Sequence, residues 1–511
     1  MRLASPDMIP RIDAFAEREL GHSVRELMGR SGKAVADAVR GLATPGATVL
    51  LLLGSGNNGG DGYAAASYLL GEYEVVAVDV FSAGQRTDAG RYYLEKYLSG
   101  GGRTVSTDEA RRIIAALPAG SVIVDGVFGT GFRGEAPSAL LPLITEANAS
   151  RAHRVAIDLP FGVNAYDGSV GNVVLRADVT VALSYSKPGL HSYPAAEYAG
   201  RVIIDGLGLD PIAVERAFEF HYTLTDEAFA ASALPNRPRN SNKGSFGKAL
   251  LITGSDAYRG AAHLALQAAL RGGAGLVSQV GTRELCAELR ASYPEALYFE
   301  ADPHSGEDAS RILDAADRVG AVLLGSGCGT SEALAALAEG LISREGGPLV
   351  LDADAINSIA KYRTPEVLRR ARRRIVLTPH PLEFSRISGI PVDKIQSERL
   401  RCAENFAREY GVILLLKGAA TVITDGTDTF VNSTGGSALA KGGSGDVLAG
   451  LCAALLVCDT ECLSRVALAA YLHGRAGDEL SEEMSDFAVT PSDLPVKIGK
   501  IIKGIIKGET K

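Results

Sequence analysis

The sequence predicts an α/β protein of two domains, the first a parallel sheet covered by helices on both faces and the second a further α/β series. Three observations predict it. Short Val/Ile/Leu runs alternate with Ala-rich helical patterns from residue 47 to about 210, as TVLLLLG, EVVAVDV, SVIVDGVFG, RVAIDLP, VTVALS and RVIIDGLGL. Near-continuous apolar strands separated by helices belong to a parallel sheet buried on both faces. A second series follows, as KALLITGS, AGLVSQVG, AVLLGSG, LVLDADAIN, RIVLTPHP, VILLLKG and TVITDG, with no exact internal repeat. Between the two, residues 234–248 are rich in Pro, Asn, Ser and basic side chains and lack apolar periodicity. The domains are therefore drawn as 1–220 and 249–511, joined by a linker over 221–248. A chain of 511 residues is too long for one ordinary core.

Composition narrows the class. Hydrophobic residues at 46% and charged residues at 22% fit a globular protein. No apolar run reaches the roughly 18–20 residues that span a bilayer. A net charge of −8 argues against a nucleic-acid partner, and the run RRARRR at 369–374 reads as a solvated helix end. The tail VKIGKIIKGIIKGETK sets Lys against paired Ile at helical spacing, and is expected to pack on its own domain rather than on a membrane. The first twenty residues are charged throughout, so no secretory signal and a cytoplasmic location are expected. Six cysteines, all in the second half and none in a CxxC pair, fit reduced thiols better than disulfides or a zinc site.

The stretch GSGNNGGDG at 54–62 follows an apolar strand and leads into the helix-like YAAASYLL. Glycines permit positive φ and close approach, and a helix N-terminus presents unpaired N–H groups, so a phosphate-bearing ligand is expected. GxGxxG is satisfied, and Asp79 falls where a ribose-binding carboxylate would, which makes the first domain Rossmann-like and keeps an oxidoreductase open. Asn57, Asn58 and Asp61 fit that reading poorly. A pyrophosphate turn needs small residues, whereas these side chains suit a cation or a reacting ring. Asp125 in VDGVFGTGFRGE and Asp158 in AIDLPFG each end a strand, where open α/β sheets bind ligands.

A second constellation, GGSALAKGGSGD at 435–446, runs into VLAGLCAALL. Asp446 then sits in the first helical turn beside amides able to hold an anion, placed to take a proton near a phosphate; a simple capping role is the alternative. GSGCG from Gly325, LDADAIN from Leu351, TPHPLEF from Thr378 and KGAATVITDG from Lys417 are strand-end clusters that converge on the same place. Lys417 suits a phosphate as a point charge, and Gly418 lets the backbone approach. His380, between Pro379 and Pro381, serves a substrate or phosphate, or else stabilises its turn. Glu383 would orient it or bind hydrated magnesium. His473, in an Ala-rich helix, reads as a packing residue.

Taken in order, these motifs resemble the bifunctional NAD(P)H-hydrate repair enzymes over nearly the whole chain. Those enzymes join an N-terminal epimerase to a C-terminal dehydratase of ribokinase-like α/β fold. The resemblance is carried by GSGNNGGDG, VDGVFGTGFRGE and AIDLPFG, then by KGSFGKALLITGSDAYRGAAHLALQAALRGGAGLV, LDADAIN, LTPHPLEF, KGAAT and GGSGDVLAG. It implies that the first domain interconverts the R and S hydrates of NADH and NADPH. The second would dehydrate the S form while converting ADP to AMP and phosphate, ATP being the alternative, with magnesium.

The resemblance also implies residue roles. Asn57, Asn58, Gly59, Gly60 and Asp61, with Gly129, Thr130, Gly131, Phe132, Arg133, Gly134 and Glu135, would bind the hydrate, Asp158 would be the acid/base, and Asn58, Asp125 and Phe161 would hold potassium. In the second domain Ala261, Gly327, His380 and Asp446 would contact the hydrate, and Lys417, Gly418, Ala419, Ala420, Thr421 and Gly445 would hold the nucleotide. Asp446 would be the base while the ring hydroxyl is phosphorylated and leaves. A homo-oligomer is expected, with neither nucleic acid nor membrane as partner.

The chain departs from the family pattern at several points. Phe161 replaces the serine of DLPSG, which leaves potassium to backbone carbonyls, and LMGRSG at 27–32 stands for LMENAG, losing an acid and an amide. GSGCG stands for GPGLG, Asn242 for a histidine, and SALAKGGSGD for PGMATGGTGD, where Lys441 either strengthens anion binding or is solvated. The competing readings are a small-molecule kinase of the hydroxymethylpyrimidine type, a Rossmann oxidoreductase, and a dehydratase with a non-catalytic binding domain.

Overall fold

The computed structural model describes residues 1–81, 86–457 and 461–508. The chain forms two units, Arg2–Thr223 and Leu224–Lys511, the latter with Met1. In the first unit, β1 (Arg2–Leu3) pairs antiparallel with β9 (Tyr222–Leu224). The main sheet is built from β2 (Thr48–Leu53), β3 (Glu74–Asp79), β4 (Arg103–Val105), β5 (Val122–Gly126), β6 (His153–Ile157), β7 (Val179–Leu183) and β8 (Arg201–Asp205). Their order is β4-β3-β2-β5-β6-β7-β8, all parallel.

Strand β2 shows why this sheet needs two covers. Val49, Leu51 and Leu53 enter one apolar core, and Leu50 and Leu52 enter another. Helices on both faces satisfy them, giving the three-layer arrangement. The order also reverses direction between β2 and β5, and ligands of open α/β sheets bind beyond the strand ends at such a point. Register places Leu52 beside Asp125 and Leu53 beside Gly126, so the glycine loop and Asp125 emerge side by side.

The helix after β2 begins at Asn57, well before the YAAASYLL stretch that marks it in sequence. None of Gly54, Gly56, Gly59, Gly60 and Gly62 has positive φ. Their lack of a side chain serves contact instead. A Cβ on Gly59 would overlap the Gly54 carbonyl oxygen, and one on Gly60 would meet Met28 Cε at 2.6 Å. Because the Gly59 clash is with backbone, Gly59→Ala is expected to destabilise the first unit by about 3 kcal/mol. A lowered urea midpoint for that unit checks it.

In the second unit the strands are β10 (Lys248–Ile252), β11 (Leu276–Gly281), β12 (Leu297–Glu300), β13 (Ala321–Leu324), β14 (Leu349–Leu351), β15 (Ile375–Leu377), β16 (Ile413–Leu416), β17 (Val422–Thr424) and β18 (Thr429–Val431). They lie in the order β18-β17-β16-β15-β14-β13-β10-β11-β12. The pairs from β16 to β12 are parallel, and β16, β17 and β18 form an antiparallel meander. Again the order turns, here between β13 and β10, beside the ends that carry the glycine and acid clusters. Helices Arg259–Arg271 and Ser444–Leu455 approach closely over the sheet, because Gly450 faces the Ala265 carbonyl.

Several sequence expectations meet a different structure. Residues 221–248, expected as a linker, hold β9 and the helix Glu227–Ala233, whose Ala230 and Ala233 join the core of the second unit. Asp226 starts that helix by accepting the Phe229 N–H at 2.7 Å. The basic run ends a 3-10 helix (Pro365–Arg370) and is largely exposed, as expected, with Arg369 pairing with Glu409, Arg370 with Glu339 and Arg372 with Glu345; Arg373 departs, being buried on the carbonyls of Arg344 and Glu345. The C-terminal helix Leu494–Lys507 does pack on its own unit, through Leu494, Ile498 and Ile501. Cys286, Cys328, Cys402, Cys452 and Cys462 are unbridged and buried; Cys458 lies outside the described residues. Among the described residues no helix is long and apolar enough to cross a membrane.

Candidate active sites

The first unit has a cavity of about 400 Å³ at its strand ends, lined by Asn57, Asn58, Asp61, Gly129, Thr130 and Asp158 among others. Sequence reasoning had singled out all of these. It had not singled out Asp13, Ser31 or Lys187, which line the same wall. Gly59 and Gly60 are taken up by helix packing, as described above. Further along the second loop, Phe132 turns inward against Phe128 and Phe161, with centroids 5.5 and 6.2 Å away. Arg133 folds back onto the carbonyls of Thr130 and Phe132, and Gly131, Gly134 and Glu135 are exposed.

Asp158 follows β6 at φ 68°, a left-handed conformation that is costly for a residue with a side chain. Its Oδ1 accepts the Leu183 N–H at 3.2 Å and pairs with the Lys187 ammonium. Asp61 is buried near it. Burial first, then the charges of Asp158 and Asp13, push the Asp61 carboxyl well above its usual range, against a hydrogen bond from Ser31. Asp13 is pushed up to about 6, by burial against the pull of Lys187. A carboxylate paired with a buried ammonium and a carboxyl held well above its usual range thus face one cavity, an arrangement suited to acid/base chemistry. The LMGRSG departure supplies Ser31 to this wall.

Asp125 is completely buried, and burial raises it to about 7, offset by N–H groups of Phe161 and Val127 at 2.6 and 3.1 Å. Asn58 Nδ2 donates to the Phe128 carbonyl at 2.9 Å, which leaves its Oδ1 as an acceptor. A buried carboxyl group held only by backbone N–H groups, with an amide oxygen from Asn58, offers the oxygen donors that suit a hard cation. Phe161 adds no side-chain oxygen. Its ring lies in the aromatic cluster, and its carbonyl accepts the Leu175 N–H at 3.0 Å. Asp79, needed for ribose in the oxidoreductase reading, is instead closed by Arg86, which also donates to the Gly54 carbonyl at 3.0 Å.

In the second unit the strand-end clusters converge on Asp352, which is 1% exposed. Its Oδ1 accepts Thr378 Oγ1 at 2.8 Å and Lys417 Nζ at 3.0 Å, and its Oδ2 accepts Ser326 Oγ at 2.8 Å. Lys417 also stands 3.9 Å from Glu383 Oε2, and a Cβ on Gly445 would lie 3.4 Å from its Nζ. Burial alone would lower Lys417, but Asp352 and Glu383 outweigh it and hold the ammonium above its usual range. The GGSGD turn and the KG strand end therefore meet at one cation.

Asp446 lies in the first turn of Ser444–Leu455, whose cap is Gly443 at φ 103°. The simple capping role is thus excluded. Burial first, then Asp352, push Asp446 up to about 7, with Lys417 opposing. His380 does stabilise its turn, since its Nδ1 accepts the N–H groups of Leu382 and Glu383 at 3.1 and 3.3 Å. Its Nε2 faces Glu383 Oε1 at 3.3 Å. Gly327, at φ 66°, sits against Ala261, whose Cβ would be 2.5 Å from any Cβ added there.

The KGAAT turn is shaped by unusual backbone at Gly418 (φ 148°) and Ala420 (φ 49°), and Thr421 Oγ1 donates to the Gly418 carbonyl at 2.9 Å. Ala419 is exposed at its tip. Beneath lies Arg399, missed in sequence, which donates to the carbonyls of Leu416 and Lys417 at 3.0 and 2.8 Å. Burial lowers it to about 10. Lys441 is half-buried, and its ammonium donates to the Phe487 carbonyl at 2.7 Å and to that of Val489. His473 is buried in the helix Cys462–Met484, as a packing residue should be, and burial lowers it to about 4. Among the described residues no group of three or more His, Cys, Asp or Glu could hold a metal ion.

Fold and sites together define a two-domain α/β enzyme, with a cavity lined by buried carboxyl groups in one domain and a lysine–carboxylate cluster beside a glycine turn in the other. A family profile described as NAD(P)H-hydrate dehydratase matches residues 249–500, and one described as YjeF-related protein N-terminus matches residues 24–189. The bifunctional NAD(P)H-hydrate repair enzyme Nnr of Moorella thermoacetica is 35% identical over 87% of this chain and 86% of its own. That of Escherichia coli is 32% identical over 97% of this chain and 93% of its own. The crystal structure of an ADP/ATP-dependent NAD(P)H-hydrate dehydratase from Bacillus subtilis, co-crystallised with ATP and Mg2+, matches with a TM-score of 0.50 and 31% identity, over 55% of this chain and 97% of that one. The chain belongs to the bifunctional NAD(P)H-hydrate repair enzyme family.

Proposed function

We propose that this chain returns hydrated NADH and NADPH to working cofactors, the first domain interconverting the R and S hydrates and the second dehydrating the S form with conversion of ADP to AMP and phosphate. The observation that carries the reading is Asp446 held near neutrality beside Lys417 at a helix-start glycine turn, in a chain that also owns the Asp158 pocket. Cytoplasmic action on the reduced cofactor pool follows from the same reading.

Hydration of the ring's enamine double bond leaves a hydroxyl on the carbon beside the ring nitrogen. In the first domain its C–O bond breaks as an acid donates a proton, and the nitrogen lone pair forms C=N. Water then adds to the other face and gives a proton to a carboxylate. In the second domain Asp446 takes the hydroxyl proton while the oxygen attacks the terminal phosphoryl group, and Lys417 with the turn amides offsets the phosphate charge. Phosphate then leaves with the C–O pair, and loss of a ring proton restores the double bond.

Magnesium would come on the nucleotide phosphates, supported by Glu383 as a single carboxylate, which suits an ion that keeps much of its water. Potassium would be held by Asn58 and Asp125, with Phe161 giving only its carbonyl. The test follows the near-ultraviolet absorbance of the dihydronicotinamide ring when pure protein meets mixed R and S hydrates, with ADP or ATP plus magnesium, with and without potassium. Recovery beyond the S fraction, faster than spontaneous epimerisation, is expected. Recovery that stops at the S fraction would confine the activity to the second domain, and none at all would favour the kinase reading.

A further inference from the structure

Lys187 is the most costly residue in the first pocket. Its side chain is fully buried, and a buried ammonium must be paired and hydrogen-bonded to be tolerated. It spends both on one partner region, pairing with Asp158 Oδ1 and donating to the Leu183 carbonyl at 3.0 Å. The Leu183 N–H binds the same Oδ1 at 3.2 Å. One carboxylate oxygen is therefore anchored by two donors, and the other, Oδ2, is left at the cavity wall, within 3.6 Å of a Cβ built on Gly129. The left-handed backbone of Asp158 is held in place by this anchoring and by its own N–H on the Val181 carbonyl at 2.8 Å.

The remaining charged groups on the wall are Asp13, Glu17 and Asp61. We infer that Lys187 is the positioning residue of the epimerisation site, locking the Asp158 carboxylate in place as the base, while the Asp61 carboxyl, on the same wall as Asp13, is the proton donor. This rests on the proposed epimerisation. Asp61 gives its proton to the leaving hydroxyl, which departs as water. The nitrogen pair closes C=N, a water adds from the opposite face, and its proton passes to Asp158 Oδ2. Proton return from Asp158 to Asp61 through water resets the site, with nothing oxidised or reduced. Ser31, whose hydroxyl donates to the Leu27 carbonyl at 3.1 Å, lies beside Asp61 on the same wall. Burial and the negative charges of Asp158 and Asp13 keep that carboxyl protonated, as a donor must be.

Without the ammonium, Asp158 Oδ1 keeps only the Leu183 N–H, so the carboxylate loses its fixed aim and epimerisation turnover falls by about 10²-fold with little change in hydrate binding. The experiment follows R-to-S conversion by chromatography against hydrate concentration, in the full chain, for wild type, Lys187→Met and Lys187→Arg. Dehydration of pure S hydrate by the same preparations reports intact protein. The expected result is a lowered kcat at near wild-type KM in Lys187→Met, partly restored by Lys187→Arg. An unchanged kcat in Lys187→Met, or a loss that appears in KM alone, overturns the inference. Asp61→Asn keeps the buried lysine pair and removes the donated proton, and is expected to abolish epimerisation; epimerisation at the wild-type rate overturns the donor assignment. Absence of epimerisation in wild type would instead overturn the functional reading, and this inference with it.

Discussion

Asp446→Asn should slow dehydration of the S hydrate by about 10²–10⁴-fold while leaving hydrate binding near wild type. The substitution keeps size and a polar head in the first turn of Ser444–Leu455 and removes only the base. Burial holds the wild-type carboxyl at about 7 rather than 3.8, so it is basic only above neutrality, and the wild-type rate should rise through that pH. The variant should lose this dependence. Stability should move the other way. A carboxyl whose folded value is raised stabilises the fold while protonated, and that contribution is lost as pH rises from 3.8 to about 7. At pH above about 8 the variant should therefore melt higher than wild type, as active-site strain predicts, and the gap should close as pH falls. Thermal unfolding and single-turnover rates on one preparation check both, and undiminished turnover would remove Asp446 from the base role.

The strands were legible because burial on two faces writes continuous apolar runs, as in Leu50 to Leu53. The strands missing from the sequence reading, β1, β4, β9, β12 and β18, are short; β4 and β12 are half-exposed, and lack that signature. The start of the helix at Asn57 was hidden by its glycines, whose purpose is contact with Gly54 and Met28 rather than turning. Motif residues at strand ends were readable from local pattern, and Asp446, Lys417, Asp61 and Asp158 were all named. Lys187 and Asp13 carry no such pattern. In SYSKPG and PRIDAF each looks like a surface charge, and only the tertiary fold buries them. Arg399 hides the same way in RLRCAENFAREY, a helix dense with charge. LDADAIN was recognised as a cluster, but the centrality of Asp352 depends on Ser326, Thr378 and Lys417 arriving from three other strand ends.

That convergence makes Asp352→Ala the most damaging substitution expected for the second unit. Removing one partner of a buried ion pair costs about 3–5 kcal/mol, because the other charge stays behind without compensation. Here Lys417 would keep only the more distant Glu383, at 3.9 Å. The buried hydroxyls of Ser326 and Thr378 would also lose their acceptor, which adds to the loss. Asp352→Asn retains an oxygen for one donor and should cost less. The pair term is separable from the hydroxyl term. Lys417→Met removes the stranded ammonium, so the double variant Asp352→Ala with Lys417→Met should be less destabilised than the sum of the two single variants, by an interaction energy of about 1–3 kcal/mol. Hydrogen exchange of the amides in β13 to β16, read in the full chain against urea, localises the effect to this unit. Strict additivity would mean that Lys417 draws nothing from Asp352, and that the anion site is held by backbone alone.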